Sequence, residues 1–291
     1  MTPGARMAVY AAALGVVLGA AALAGAVVGP LRDAEEAAAP HAGDPHAAAG
    51  AGEHPADAAR PVGLAVAEGG YTLVPERTAL PAGRTAELAF RITGPDGHAV
   101  RDFEVEHERR MHLIVVPRDL DGYQHLHPTA DATGRWSIPL RLPRAGVYRV
   151  YADFHAAGRA RTLATDVFVG GEFRPRALPA PRAVDEAGRY RVTLHVRGAA
   201  MGRRAELAYQ VTRDGRPVTG IQPYLGADGH LVSLREGDLA FLHAHPEAGD
   251  PGRGAIRFAA EFPSAGRYRL FLQFRHDGEV RTVAHTVEVS R

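Results

Sequence analysis

The sequence predicts an all-β chain: two tandem Ig-like antiparallel β-sandwich domains after an N-terminal transmembrane helix and a flexible linker. Three observations carry that prediction. Apolar and polar residues alternate with a period of two over most of the chain. Turn signals such as Pro95-Asp96-Gly97 and Arg213-Asp214-Gly215 separate the runs, and one half of the chain repeats the other.

The repeat sets the domain boundaries. TAELAFRITGPDG from Thr85 returns as RAELAYQVTRDG from Arg204, and AGVYRVYADF from Ala145 returns as AGRYRLFLQF from Ala265. One sandwich therefore spans residues 69–170 and the other 186–290, with a proline-rich linker at 171–185. In YRVTLHV, Tyr190, Val192, Leu194 and Val196 share one face, while Arg191, Thr193 and His195 share the other, so His195 reads as a solvated residue. Ala86, Leu88, Phe90 and Ile92 alternate in the same way. Tyr148 and Tyr268 each stand two residues after a glycine at the start of a strong strand, the pattern of the tyrosine corner in Ig-type sandwiches. Trp136, replaced by Ile256 in the second copy, reads as core.

Upstream of the repeats, residues 7–30 carry no charge, with Arg6 before them and Asp33, Glu35 and Glu36 after. That length suits a bilayer. Residues 1–30 therefore read as an N-terminal membrane anchor with Arg6 inside and the domains outside the cytoplasm. If the segment is instead a signal peptide, Ala22-Leu23-Ala24 or Ala24-Gly25-Ala26 would supply the cleavage site and the protein would be secreted. Residues 31–68 form a flexible linker, and His41, His46 and His54 fall irregularly within it as solvated positions.

Composition narrows the chemistry. The chain has 291 residues, 46% of them apolar, enough for two cores. Its formal charge is +1, and the basic residues are scattered arginines without a run that could track phosphates, so no nucleic-acid partner is expected. With no cysteine, disulfides, thiolate metal sites and cysteine nucleophiles are all excluded. Any metal must be held by His, Met or carboxylate.

The most informative segments are HLIVVPRDLDGYQHLHP from His112 and HLVSLREGDLAFLHAHP from His230. Only five of their 17 positions are identical, and three of those five are histidines. Each of His112, His125 and His127 recurs 118 residues later, as His230, His243 and His245. An antiparallel hairpin turning around Arg118 to Asp121 pairs residues whose numbers sum to about 239, which sets His112 opposite His127 with His125 one pleat away. The second copy turns at Glu236 to Asp238 and pairs on a sum of 475. All six histidines are thus candidate metal ligands, three to a repeat, and neutral imidazoles would leave coordination positions open. The other reading is that they pack as structural filling beside Ile114, Val116 and Tyr123 at the mouth of the sandwich. Asp153 and His155 could at most complete the first site. His107, whose counterpart is Leu225, reads as part of a solvated edge with Glu104, Glu106 and Glu108, and Met111 reads as core. His276 and His285 occur only in the second copy and read as incidental.

Through MHLIVV, QHLHP and QPYLGA with the following GHLV, the chain resembles bacterial extracytoplasmic sandwiches of the copper-resistance and YtkA-like type, and actinobacterial secreted proteins with the same histidine hairpin. The resemblance covers residues 69–290 and implies heavy-metal handling outside the cytoplasm. Unlike copper carriers of that kind, this chain has no methionine-rich stretch.

These readings lead to a membrane-anchored extracytoplasmic metal-binding protein, a buffer or carrier rather than an enzyme. Copper is expected, with Cu(II) favoured and zinc possible, at about one equivalent per repeat. A metal exporter or an oxidase assembly factor would be its protein partner. The alternative is a non-metal Ig-like interaction module of a membrane complex. A zinc hydrolase fits least, because the acids near His112 have no counterparts near His230.

Overall fold

Residues 61–291 are described by a computed structural model. The anchor and most of the tether expected from the sequence lie outside them, and among the described residues no helix is long and apolar enough to cross a membrane.

The first repeat contains β1 (Ala67–Glu68), β2 (Tyr71–Pro75), β3 (Ala79–Leu80), β4 (Thr85–Thr93), β5 (His112–Pro117), β6 (Gln124–Leu126), β7 (Thr129–Ala130), β8 (Arg135–Arg141), β9 (Gly146–Ala156) and β10 (Arg159–Val169). The second contains β11 (Val184–Ala187), β12 (Tyr190–Arg197), β13 (Arg204–Arg213), β14 (Arg216–Pro217), β15 (His230–Arg235), β16 (Phe241–His243), β17 (His245–Asp250), β18 (Ala255–Glu261), β19 (Gly266–His276) and β20 (Glu279–Val289). In the first repeat a sheet ordered β1-β2-β4-β8-β7 faces one ordered β3-β10-β9-β5-β6. All its pairs are antiparallel except β3 with β10. This is the strand arrangement of an Ig-type sandwich. The second repeat follows it with β11-β12-β13-β18-β17 and β16-β15-β19-β20.

The period-two pattern places one residue set in each core. Leu88, Phe90 and Ile92 from β4 pack with Leu113, Val115, Trp136 and Val150, and Met111 joins them. Leu207, Tyr209 and Val211 from β13 do the same with Leu231, Phe258 and Leu270. His195 is exposed, as alternation requires. Both tyrosine corners form: Tyr148 donates to the Arg144 carbonyl at 2.9 Å and Tyr268 to the Ser264 carbonyl at 3.0 Å.

A third apolar layer lies between the repeats. Strand β5 is buried at every position. Leu113 and Val115 enter its own sandwich, whereas Ile114 and Val116 face Val232, Leu234, Leu239 and Phe271 of the other repeat. Strands buried on both faces read as continuous apolar runs, and HLIVV is one. Tyr123 stacks on Phe271 with centroids 4.5 Å apart, and the Tyr151 hydroxyl donates to the Leu239 carbonyl at 2.5 Å. Full burial of such side chains contributes about 1.5–3 kcal/mol each, which holds the two sandwiches face to face.

The segment ahead of the first repeat ties the same seam. Gly63 N donates to Thr162 O at 3.1 Å, Ala164 N to Ala65 O at 2.8 Å, and Phe241 N to Val62 O at 2.9 Å. Gly63 has φ +69°, and a Cβ there would stand 2.8 Å from the Tyr151 ring, so the position requires glycine twice over.

Candidate metal centre

The histidines sit at one end of this inter-repeat seam. Strand β5 pairs with β6 as Leu113 with Leu126, Ile114 with His125 and Val115 with Gln124, a register summing to 239 as the sequence predicts. Val232 pairs with His243 on the expected sum of 475. Because side chains two apart share a face, His112 and His125 point outward with Ile114, away from their own core and toward the second repeat.

His112, His125 and His127 each offer a ring nitrogen, and the three atoms lie within 4.8 Å of one another. His112 is 4% exposed and the other two are half-buried. The remaining predicted residues fall differently. His230, at the start of β15, stacks against His125 with centroids 4.5 Å apart and lies 5.9 Å from His112, so it stands beside the first repeat's trio. His243 occupies the β16 backbone opposite Val232. His245 is exposed and opens β17, paired with Ala259 in the opposite sheet of its sandwich. In the first repeat the place of Ala259 is taken by Pro139, which has no N–H to lend a ladder, and β7 starts its pairing only at Thr129. His127 is thereby left off that sheet and stays with His112 and His125.

Hydrogen bonds fix which ring atoms face inward. His112 Nε2–H donates to the Glu106 carbonyl at 3.1 Å. His125 Nδ1–H donates to Gln273 Oε1 at 2.8 Å, with the Gln273 amide nitrogen 3.4 Å from Thr282 Oγ1. Both outer contacts are acceptors, and a neutral imidazole carries one proton. The remaining nitrogens, His112 Nδ1 and His125 Nε2, therefore meet at 3.0 Å lone pair to lone pair. His127 Nε2 is buried with no hydrogen-bond partner among the described residues. A cation between the two nitrogens would relieve this arrangement. Two imidazoles on a tetrahedral ion at 2.0–2.1 Å would hold their nitrogens about 3.3 Å apart, close to the separation present.

Electrostatics agree. Burial pushes the His125 ring down to about 3, against the pull of the Gln273 hydrogen bond, and the His127 ring down to about 4, with His112 and Arg109 adding to the effect. His112 is also lowered, chiefly by burial. The trio is thus neutral at pH 7, the form that binds metal.

Sequence reasoning did not find two members of this neighbourhood. Gln273, the second-repeat counterpart of Asp153, crosses the seam to orient His125. His107, read as a solvated edge, lies with its ring centroid 6.2 Å from His112 and 6.4 Å from His230. The signal that could have found them is the doubly apolar β5, which requires a partner surface on its outward face.

Comparison with known families matches the chain twice, over residues 65–171 and 183–291, to a family described as a domain of unknown function, DUF8832. The chain belongs to this family. The two DUF8832 matches coincide with the two sandwiches, and the likeness to copper-resistance and YtkA-like sandwiches has no counterpart in that match. No curated protein matches the chain. Solved structures similar to the DUF8832 chain include alpha-2-macroglobulin of Salmonella reacted with methylamine, at 16% identity over 79% of this chain and 15% of that one, TM-score 0.28. The Escherichia coli adhesin FdeC is similar at 16% identity over 77% of this chain and 65% of that one, TM-score 0.26. The adhesin InvE of Yersinia pseudotuberculosis is similar at 12% over 76% and 59%, TM-score 0.23. Likeness at this level assigns no function.

Proposed function

We propose that this chain is an extracytoplasmic metal-binding protein, tethered to the membrane by residues 7–30, that buffers or carries a divalent first-row ion at His112, His125 and His127. The observation that carries this reading is the approach of His112 Nδ1 to His125 Nε2 at 3.0 Å, with an acceptor beside the outer nitrogen of each ring. Ligating histidines are held in this way when an outer partner fixes the tautomer and leaves the other nitrogen to the ion. Three imidazoles with no thiolate suit Cu(II) and Zn(II), and copper is favoured by its place in the affinity series. Met111 is committed to the core, so a thioether-based Cu(I) site is not part of the proposal. A metal exporter or oxidase assembly factor is the partner class that a carrier of this kind would serve.

The placement of His245 changes the expected stoichiometry from one ion per repeat to one per chain. Calorimetric titration of metal-free protein with Cu(II) should give one equivalent, lost in the pair His125→Ala with His127→Ala and kept in His245→Ala. Two equivalents, or binding that survives the double variant, would overturn the assignment.

A further inference from the structure

We infer that His107 is the fourth ligand of the ion held by His112, His125 and His127, delivered on a turn that carries a ligand in the first repeat only. This rests on the metal reading above and adds to it the residue that closes the coordination shell.

The turn is short and geometrically defined. Glu106 N donates to Arg109 O at 2.8 Å and Arg109 N to Glu106 O at 2.9 Å, while His107 and Glu108 both have positive φ, +46° and +64°. That is a two-residue hairpin with both central residues left-handed, where Asn-Gly or Gly-Gly is the usual occupant. The second repeat builds the same turn from Tyr224 to Ala227, with Leu225 at φ +56° and Gly226 at +82°. There the second central residue is the glycine that the conformation favours, and the tip residue Leu225 is buried as packing. In the first repeat the tip is a histidine whose side chain is 46% exposed, and the glycine is replaced by Glu108. Local strain of this kind persists where the surrounding structure uses it.

Three features connect the tip to the ion site. The carbonyl of Glu106, in this same turn, takes the proton of His112 Nε2, so one turn sets the first ligand's tautomer and places His107 beside it. The His107 ring lies edge-on to His112 at 6.2 Å, between centroids, and at 6.4 Å from His230. Glu106 Oε1 is 3.7 Å from His107 Nε2, an acceptor beside that nitrogen that leaves Nδ1 as the one free for an ion. A half-exposed ring can change rotamer without disturbing the core, and three imidazoles on a four-coordinate ion leave one place open. His107 would therefore take the ion from solvent and close over it.

The test uses the full-length chain loaded with Cu(II), comparing wild type with His107→Leu, which installs the second repeat's residue, and His107→Gln, which keeps the position polar. Pulsed EPR should count one imidazole fewer in both variants, with the one-ion stoichiometry unchanged. Transfer of copper to a competing chelator should quicken at least about tenfold, the lower end of what losing a supporting partner costs a metal site. Identical imidazole counts and transfer rates in wild type and both variants would overturn this inference while leaving the three-histidine site standing. Failure of the wild-type chain to take Cu(II) at all would bring down both readings.

Discussion

The two histidine hairpins are copies of one sequence pattern that now sit in different surroundings. Both keep the strand register, with Ile114 opposite His125 and Val232 opposite His243. Both turn an apolar face outward onto the same seam. They part after the hairpin. In the first repeat, Pro139 stands where a ladder partner would be, and His127 stays with His112 and His125. In the second, Ala259 accepts the strand, and His245 is carried onto the opposite sheet and into solvent. The second repeat supports the first instead of duplicating it: Gln273 orients His125, and His230 stacks on it. Duplication has here yielded one composite histidine cluster, because the faces that carry His112, His125 and His230 lie at the end of the seam where the two repeats bury each other.

The largest effect expected from that arrangement is on stability against pH. His125 and His127 are held at about 3 and about 4 when folded and return toward 6.5 when unfolded. Above pH 6.5 both states are neutral, so the two rings contribute nothing. As pH falls through 6.5 the unfolded chain binds protons that the folded chain refuses, and stability drops by at most about 1.4 kcal/mol per pH unit for each ring. His112 and the fully buried His285 are lowered in the same direction and add to the slope. Melting of the metal-free protein should be flat from pH 8 to 7 and fall between 6.5 and 5, before carboxylates titrate, with His125→Gln taking away part of the fall. A flat profile down to pH 5 would mean that the trio is more hydrated than its burial implies.

Next in size is the contribution that crosses the seam. Gln273→Leu removes the acceptor for His125 Nδ1–H without touching a ligand, so the first repeat's affinity for Cu(II) or Zn(II) should weaken about 10- to 100-fold, or roughly 1.4–2.7 kcal/mol. Competition against a chelator measures this directly. Unchanged affinity would return the site wholly to the first repeat and leave the second repeat no part in it.

Much of this is legible in the sequence itself. Period-two alternation marks the strands and their core faces, the tyrosine corners mark the sandwich type, and the numerical sums give both hairpin registers. Each depends on local geometry that one repeat contains. The seam does not, because it is set by which outward faces meet, and a pleat's periodicity is silent about what lies beyond the sheet. The run from Ile114 to Val116 carries the one local trace of it, an apolar strand with no solvent side. His245 was misplaced for a related reason. Its spacing matches that of His127, but its fate is decided by residue 259 in a different strand, where alanine replaces proline.

The smallest effect bears on the turn that separates the repeats most sharply. Glu108 adopts φ +64°, whereas Gly226 holds the equivalent place in the second repeat. Left-handed backbone costs a side-chain-bearing residue about 1–2 kcal/mol relative to its preferred conformation, and glycine escapes that cost but surrenders more chain entropy on folding. Glu108→Gly should therefore raise the stability of the metal-free protein by only about 0.5–1 kcal/mol, readable as a melting shift of a few degrees. Equal or lower stability would show that the Glu108 side chain supports its own turn, and that the two repeats reach one backbone shape by different means.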